Sequence, residues 1–190
     1  MTTETIKRKF PRADAMRVAI ELSALLNPFC ERLEIAGSLR RRKELVGDIE
    51  LLLIPRFESV ADGLFDKRLV DLADAQLNRL LSGGVIEKRL SKTGIASWGP
   101  QNKLARHVES GIPVDCFSTD AERWWVALVI RTGSKETNLR LTHGANALGR
   151  TLHAYGAGAT CRKTGQFYPC RTEAEVFAVC GVPYLPPEQR

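Results

Sequence analysis

The strongest constraint on this chain is the run IELLLI at positions 49–54, entered through Gly47-Asp48. Ile49, Leu51, Leu52, Leu53 and Ile54 read as a strand that is apolar on both faces at its far end, and so buried. Yet two carboxylates, Asp48 and Glu50, stand at its mouth. Residues two apart on a strand point the same way, so Asp48 and Glu50 share one face and Ile49 and Leu51 the other. Adjacent carboxylates repel, and they stay ionised most easily with a cation between them. Their natural partner is a hard, oxygen-seeking ion such as Mg²⁺ or Mn²⁺.

Just upstream runs GSLRRRK, Gly37 to Lys43. The Gly37-Ser38 pair breaks a strand ahead of a helical turn. Backbone N–H groups at a helix start favour an anion, and glycine lets the backbone approach a ligand closely. Arg40 and Arg41 add charge with two-pronged geometry for phosphate oxygens. One short segment can therefore hold a polyphosphate at one end and a metal at the other, the charge layout of a nucleoside triphosphate with Mg²⁺. Taken singly, an Asp-x-Glu pair or an arginine run is usually a solvated face, and a Gly-Ser pair is usually a turn. The joint arrangement carries the argument.

Elsewhere the pattern predicts a helix over 11–26, a short strand over 31–36 and a helical turn or two over 39–44. A helix is expected over 61–81, with Leu64, Leu69, Leu72, Leu77 and Leu80 as its apolar set. Short strands follow over 85–90, 103–108 and 112–117, with Ser110-Gly111 as a hairpin turn. In the last strand Val114 and Cys116 face one way, and Asp115 and Phe117 the other. Beyond Asp120 the pattern becomes helical, with Trp124 and Trp125 at core positions beside Leu128. Further helices are expected over 138–148 and 173–180, the last forty residues being otherwise irregular and rich in Gly and Pro. This predicts an α+β fold, with a sheet domain over 1–118 and a smaller, mostly helical subdomain over 119–190.

Composition narrows the function classes. The 190 residues carry 28 Lys plus Arg against 22 Asp plus Glu, a net charge of +6 that suits a polyanion partner without requiring one. Five widely spaced cysteines, Cys161 and Cys170 among them, include no CxxC pair, which argues for ordinary thiols in a reducing compartment. His107, His143 and His153 are too scattered for a zinc site. No run has the length of a membrane span, and the N-terminus lacks an apolar core, so the expectation is a soluble, cytoplasmic protein. Trp98 lies in a polar loop with Lys92 and Lys103, a candidate nucleic-acid contact. Lys88, Arg89, Lys92, Lys103 and Arg106 form either a phosphate-contacting patch or a solvated basic edge.

GSLRRRKELVGDIELL resembles the nucleotidyltransferase superfamily signature, and more narrowly that of DNA polymerase family X, the group of DNA polymerase beta. Three further stretches agree in order: IPVDCF, RTGSKETN and EAEVFAVCGVPYLPPEQR. The resemblance covers about residues 31–190. It implies a nucleotidyltransferase palm, a mixed or antiparallel sheet with helices on one face, followed by a thumb-like subdomain. It implies transfer of a nucleoside monophosphate from a dNTP to a DNA 3′-hydroxyl with release of pyrophosphate, using two Mg²⁺ or Mn²⁺ ions. Asp48, Glu50 and Asp115 would be the catalytic and metal-binding carboxylates. Gly37, Ser38, Arg41, Gly47, Thr132, Gly133, Ser134 and Asn138 would hold the nucleotide. Arg40, Lys92, Trp98, Lys103, Arg106 and Arg140 are the candidates for DNA contact, on a primer/template or a gap.

The sequence departs from the family in three places. Glu50 stands where the family usually has Asp, Ile130 and Arg131 stand where it commonly has two aromatic residues, and only 36 residues precede Gly37. The last point leads to the expectation of a reduced form without the N-terminal lyase domain, binding DNA weakly as a monomer, for gap filling or repair. A viral setting, in an infected host cell, fits the small size. Template-independent nucleotidyl transfer is the enzymatic alternative, and a non-catalytic nucleic-acid-binding protein is the other.

Overall fold

The structure is a computed structural model and describes residues 8–62, 66–90 and 94–190. Phe10–Pro11 (β1) leads into Arg12–Leu26 (α1), whose buried Ala15, Val18, Ala19, Leu22 and Leu26 form one stripe. Pro28 turns the chain through a 3-10 turn at Asn27–Phe29 into Cys30–Ile35 (β2). A single-turn helix, Gly37–Arg40 (α2), and the short Leu45–Val46 (β3) precede Ile49–Pro55 (β4). Phe57–Asp62 (β5) and Asp66–Asp71 (β6) pair as an antiparallel ribbon, followed by Leu72–Ser82 (α3). Ile86–Lys88 (β7), Asn102–His107 (β8) and Pro113–Ser118 (β9) complete the main sheet. Trp124–Thr132 (α4) and Lys135–Ala147 (α5) follow. Arg150–Leu152 (β10), Gly158–Cys161 (β11) and Phe167–Pro169 (β12) form a small antiparallel sheet before Glu173–Val179 (α6).

The main sheet runs β2-β4-β9-β8-β7, with β4 parallel to β9 and every other pair antiparallel. In β4 every residue except Glu50 is buried, as its apolar run requires. Ile49, Leu51, Val114 and Cys116 pack on one face with Leu22 of α1 and Leu77 of α3. Leu52, Ile54 and Phe117 pack on the other against Trp124 and Leu128 of α4. Burying each such side chain contributes about 2 kcal/mol, so β4 is a fixed rail along which its polar residue is set. Helices thus lie mainly on one face, and α4 takes only part of the opposite one. A separate cluster joins α4, α5 and α6 through Val126, Val129, Leu141 and Phe177.

Two sequence expectations need correction. The helix over 61–81 begins only at Leu72, with the β5–β6 ribbon in place of its first half. Val60 and Val70 favour strand, and Asp71 caps the helix by accepting from the Asp74 N–H at 2.8 Å. Leu69 is accordingly exposed rather than part of a helical core, and Leu64 lies outside the described residues. The C-terminal part is also not mainly helical plus irregular segments, since β10–β12 form a sheet. Glycine makes this possible at position 158, where a Cβ would stand 2.0 Å from the Tyr168 carbonyl oxygen. All five cysteines are free. Among the described residues no helix is long and apolar enough to cross a membrane.

Candidate active site

Strand register places the acidic residues. Glu50 and Asp115 are direct partners across β4 and β9, and Leu104 of β8 is the partner of Asp115 on the other side. Partners in register project to the same face, so Glu50 and Asp115 stand side by side. Asp48, two residues before Glu50, lies with it at the edge of a cleft of about 490 Å³. The far wall of the cleft is the turn between α4 and α5, with Gly133, Ser134 and Asn138. Asp115 is not part of the cleft lining.

Burial, then the charges of Asp48 and Asp115, push Glu50 up from the ordinary 4.5 to about 7, with Arg131 and Arg41 opposing the shift. Its long side chain is accommodated by Gly37, where a Cβ would lie 2.6 Å from Glu50 Oε2. Gly37 also has φ +62°, a left-handed value that favours glycine. The glycine at this turn thus serves both the backbone and the carboxylate.

The basic end of the cleft is built from the same turn. Ser38 and Arg41 line the cleft, and both also line a second notch of about 590 Å³ shared with Gly47, Asp48, Lys9 and Lys43. Ser38 Oγ and Arg41 Nε are buried without a hydrogen-bond partner, which leaves polar capacity at this turn unused. Burial holds Arg41 below its ordinary pKa despite the nearby Glu50, Glu136 and Asp48. Arg41 Nη1 donates to the Thr132 carbonyl oxygen, which ties the turn to the end of α4.

Thr132, Gly133 and Ser134 join α4 to α5, and the Gly133–Ser134 peptide is cis. Thr132 is buried, so its side chain anchors the turn, receiving a hydrogen bond from Arg40 Nη1 at 2.9 Å. Ser134 caps α5 by accepting from the Thr137 N–H. Asn138 Nδ2 donates to the Ile130 carbonyl at 2.9 Å, and its Oδ1 is buried without a partner. Arg131 lines the cleft and stacks over Phe117, 3.5 Å from the ring centroid.

Three carboxylates with only oxygen donors suit Mg²⁺ or Mn²⁺. The repulsion from Asp48 and Asp115, which adds to burial in raising Glu50, is of the kind a bound cation would offset. Among the described residues no set of three or more His, Cys, Asp or Glu side chains is gathered as a bound ion would gather them. Instead Asp115 Oδ1 accepts a hydrogen bond and ion pair from Arg89 Nη2.

Comparison with known proteins agrees with this layout. Residues 127–190 match the DNA polymerase beta thumb. The chain is 26% identical over 184 residues to the DNA polymerase/3′-5′ exonuclease PolX of Bacillus subtilis (strain 168). That match covers 96% of this chain and 28% of the relative, so the chain spans little more than a quarter of that protein's length. The fold matches that of Leishmania infantum polymerase beta, solved as a ternary P/T complex, with a TM-score of 0.70 at 21% identity. The match covers 97% of this chain and 77% of that one. The chain is related to the beta-like DNA polymerases of family X. Its fold is the α+β palm with a thumb-like C-terminal part.

Against this family X frame the DNA-contact candidates divide. Lys103 turns to the helix-covered face of β8, where it is buried and paired with Asp74, so it does not reach a nucleic acid. The period of two dictates this, because 103, 105 and 107 share the core side. Arg40 also turns inward, to Glu173 and Thr132, and is a structural link rather than a surface cation. Trp98 is half-buried, donates from Nε1 to Asn78 at 2.9 Å, and has Lys88 over its ring. Arg106 is exposed and pairs with Glu87 at 3.3 Å, Arg140 is exposed on α5, and Lys92 lies outside the described residues. Two residues with marked local roles escaped the motif reading. Glu173 joins Arg40 to Arg190, and Arg89 holds Asp115. Arg89 was legible only as one cation of a basic run, because its partner is 26 residues away on another strand.

Proposed function

We propose that this chain adds a nucleoside monophosphate from a dNTP to a DNA 3′-hydroxyl, as a template-directed polymerase of the family X kind. The observation that carries this reading is the in-register pair Glu50 and Asp115, with Glu50 and Asp48 at a cleft that Ser38, Arg41, Gly133 and Asn138 also line. A binding module has no need for carboxylates in register on one sheet face beside such a cleft. Residues 1–118 would supply the carboxylates and 119–190 the opposite wall of the cleft.

Asp48, Glu50 and Asp115 would hold Mg²⁺ or Mn²⁺, two ions in all, which when bound supply charge stabilisation of the attacking and leaving oxygens. Asp115 would accept the proton of the attacking hydroxyl. Ser38, Arg41 and the Gly47 backbone hold the β- and γ-phosphates. The Gly133 turn admits the sugar closely, and Asn138 meets the minor-groove edge of the incoming base. Gap filling or repair is the role such chemistry serves.

A second reading, addition without a template, is favoured by one feature. The cleft presents Ile130 and Arg131 where family X members commonly carry aromatic residues. Labelled primer, alone, on a template or at a gap, incubated with Mg²⁺ or Mn²⁺ and each nucleotide singly, separates the readings. Addition of only the complementary nucleotide supports the first, and addition to unpaired primer the second. No addition with either metal, while DNA still binds, rejects both.

A further inference from the structure

The carboxylate row does not end at Asp115. The Arg89 N–H donates to the Leu104 carbonyl at 2.9 Å, so Arg89 continues the register Glu50, Asp115, Leu104 by one more strand. Its side chain spans Leu104, and its Nε donates to the Ala105 carbonyl at 3.4 Å. Its Nη2 then meets Asp115 Oδ1, with the side chains of both residues mostly shielded, 22% and 14% exposed. A guanidinium thus sits on the flank of Asp115 opposite Glu50. At the other end of the row the charges of Arg131 and Arg41 act on Glu50. Asp115 is also the one carboxylate of the three outside the cleft lining.

We propose that Arg89 is a positioning residue, the internal counter-ion of Asp115 in the resting protein, and that a divalent cation must take Asp115 from it. This rests on the nucleotidyl-transfer reading of the same site, because it treats Asp115 as a cation ligand. Two physical consequences follow. Arg89 relieves the repulsion among the carboxylates when no cation is present. It also opposes cation entry, both by holding Oδ1 and by placing a positive charge beside it. Arg89 therefore sets how much divalent metal the site requires. A nucleic acid phosphate could free Asp115 by drawing the guanidinium to itself, since arginine binds phosphate in the same bidentate manner.

The test is Mn²⁺ binding to the full chain without DNA or nucleotide, followed by electron paramagnetic resonance of the free ion. Arg89→Gln removes the charge and keeps a polar side chain. It is expected to tighten Mn²⁺ about tenfold, the effect of losing one positive charge near a divalent ion in a hydrated site. Arg89→Lys, which keeps the charge, stays within about threefold of wild type on the same argument. Arg89→Met fills the same space and is read instead where Arg89→Gln does not fold. Adding Asp115→Asn must erase the difference, because the effect runs through that carboxylate. An unchanged or weaker Mn²⁺ affinity in the folded charge-removing variant overturns the proposal. So does equal tightening in the Asp115→Asn background. In nucleotide addition the half-saturating Mg²⁺ falls about tenfold while the dNTP KM stays put. Tightened Mn²⁺ binding in Arg89→Gln, with a wild-type chain that adds no nucleotide, would reject the polymerase reading alone. Active enzyme with unchanged Mn²⁺ affinity would reject the role of Arg89 alone.

Discussion

Arg40 donates from Nη2 to Glu173 Oε1 across 133 residues of sequence, joining the turn after Gly37 to the first residue of α6. Arg190 donates to the other oxygen of the same carboxylate. One buried acid therefore fastens the turn after Gly37 and Arg190 to a common point. The same Arg40 reaches Thr132, so the link passes through the wall of the cleft.

Glu173→Ala leaves two shielded arginines without a partner, and losing one member of a buried ionic set costs about 3–5 kcal/mol. Urea unfolding at pH 7 reads this directly, and a loss under about 1 kcal/mol would reject the link as a stabilising one. The pH dependence adds a second readout. Burial alone would raise Glu173, but hydrogen bonds and charge from Arg40 and Arg190 outweigh it and hold the carboxyl below its ordinary 4.5. Its folded pKa is depressed, so its stabilisation is fully present above 4.5 and is lost as pH falls through the folded value. Wild type should therefore lose stability on acidification below 4.5 more steeply than Glu173→Gln.

Glu50 behaves in the opposite sense. Its folded pKa of about 7 lies above the ordinary 4.5, so the unfolded chain releases its proton first as pH rises. The metal-free protein should lose about 3 kcal/mol of stability between pH 4.5 and 7, and nothing further from this group above 7. Glu50→Gln removes that slope and is more stable than wild type at pH 8. Denaturant midpoints in chelator across this range check the sign, and a stability rising with pH in that window counts against it.

Much of this architecture was legible in the sequence because it follows from periods of two and 3.6. The apolar run after Glu50 marks an interior strand, and alternation in 112–117 puts Asp115 and Phe117 on the face opposite Val114 and Cys116. What stayed hidden depends on contacts distant in the chain. The β5–β6 ribbon was misread because Leu69, Leu72 and Leu77 mimic a helical stripe, while strand-favouring Val60 and Val70 and a capping Asp71 set the backbone. Lys103 and Arg40 looked like surface cations, since charge alone does not reveal a buried partner such as Asp74 or Glu173. The Glu50 substitution was visible, but the room for it comes from Gly37, thirteen residues away and across the turn.

Gly37→Ala should disable the site through two separable effects. Its φ of +62° makes any side chain strained, a penalty of about 1–2 kcal/mol. The new Cβ also falls 2.6 Å from Glu50 Oε2 and pushes that carboxylate aside. Shortening the acid with Glu50→Asp relieves the second effect and leaves the first. The double variant should therefore recover part of the activity lost in Gly37→Ala without recovering its stability. Equal activity in the single and double variants would show that the contact with Glu50 is unimportant.

Asp115→Asn should abolish nucleotide addition and leave dNTP affinity within about threefold, since Asp115 lies outside the cleft that would receive the triphosphate. Fluorescence anisotropy of a labelled dNTP checks binding, and primer extension checks chemistry. Activity surviving in this variant would remove Asp115 from the catalytic set.

The exposed cations make a last, quantitative distinction. Arg140 projects from α5 into solvent and Arg106 is half-exposed, whereas Lys103 is buried against Asp74. If the two arginines contact DNA phosphates, each replaced by alanine should lower the slope of log affinity against log salt by about 0.9. Lys103→Ala should leave that slope unchanged. It should instead destabilise the fold, because Asp74 loses its partner and the Gly99 carbonyl loses a 2.9 Å hydrogen bond. DNA titrations from about 50 to 200 mM salt, paired with melting curves, resolve the two behaviours. A salt slope that falls in Lys103→Ala and holds in both arginine variants would reverse this assignment of the DNA-facing side.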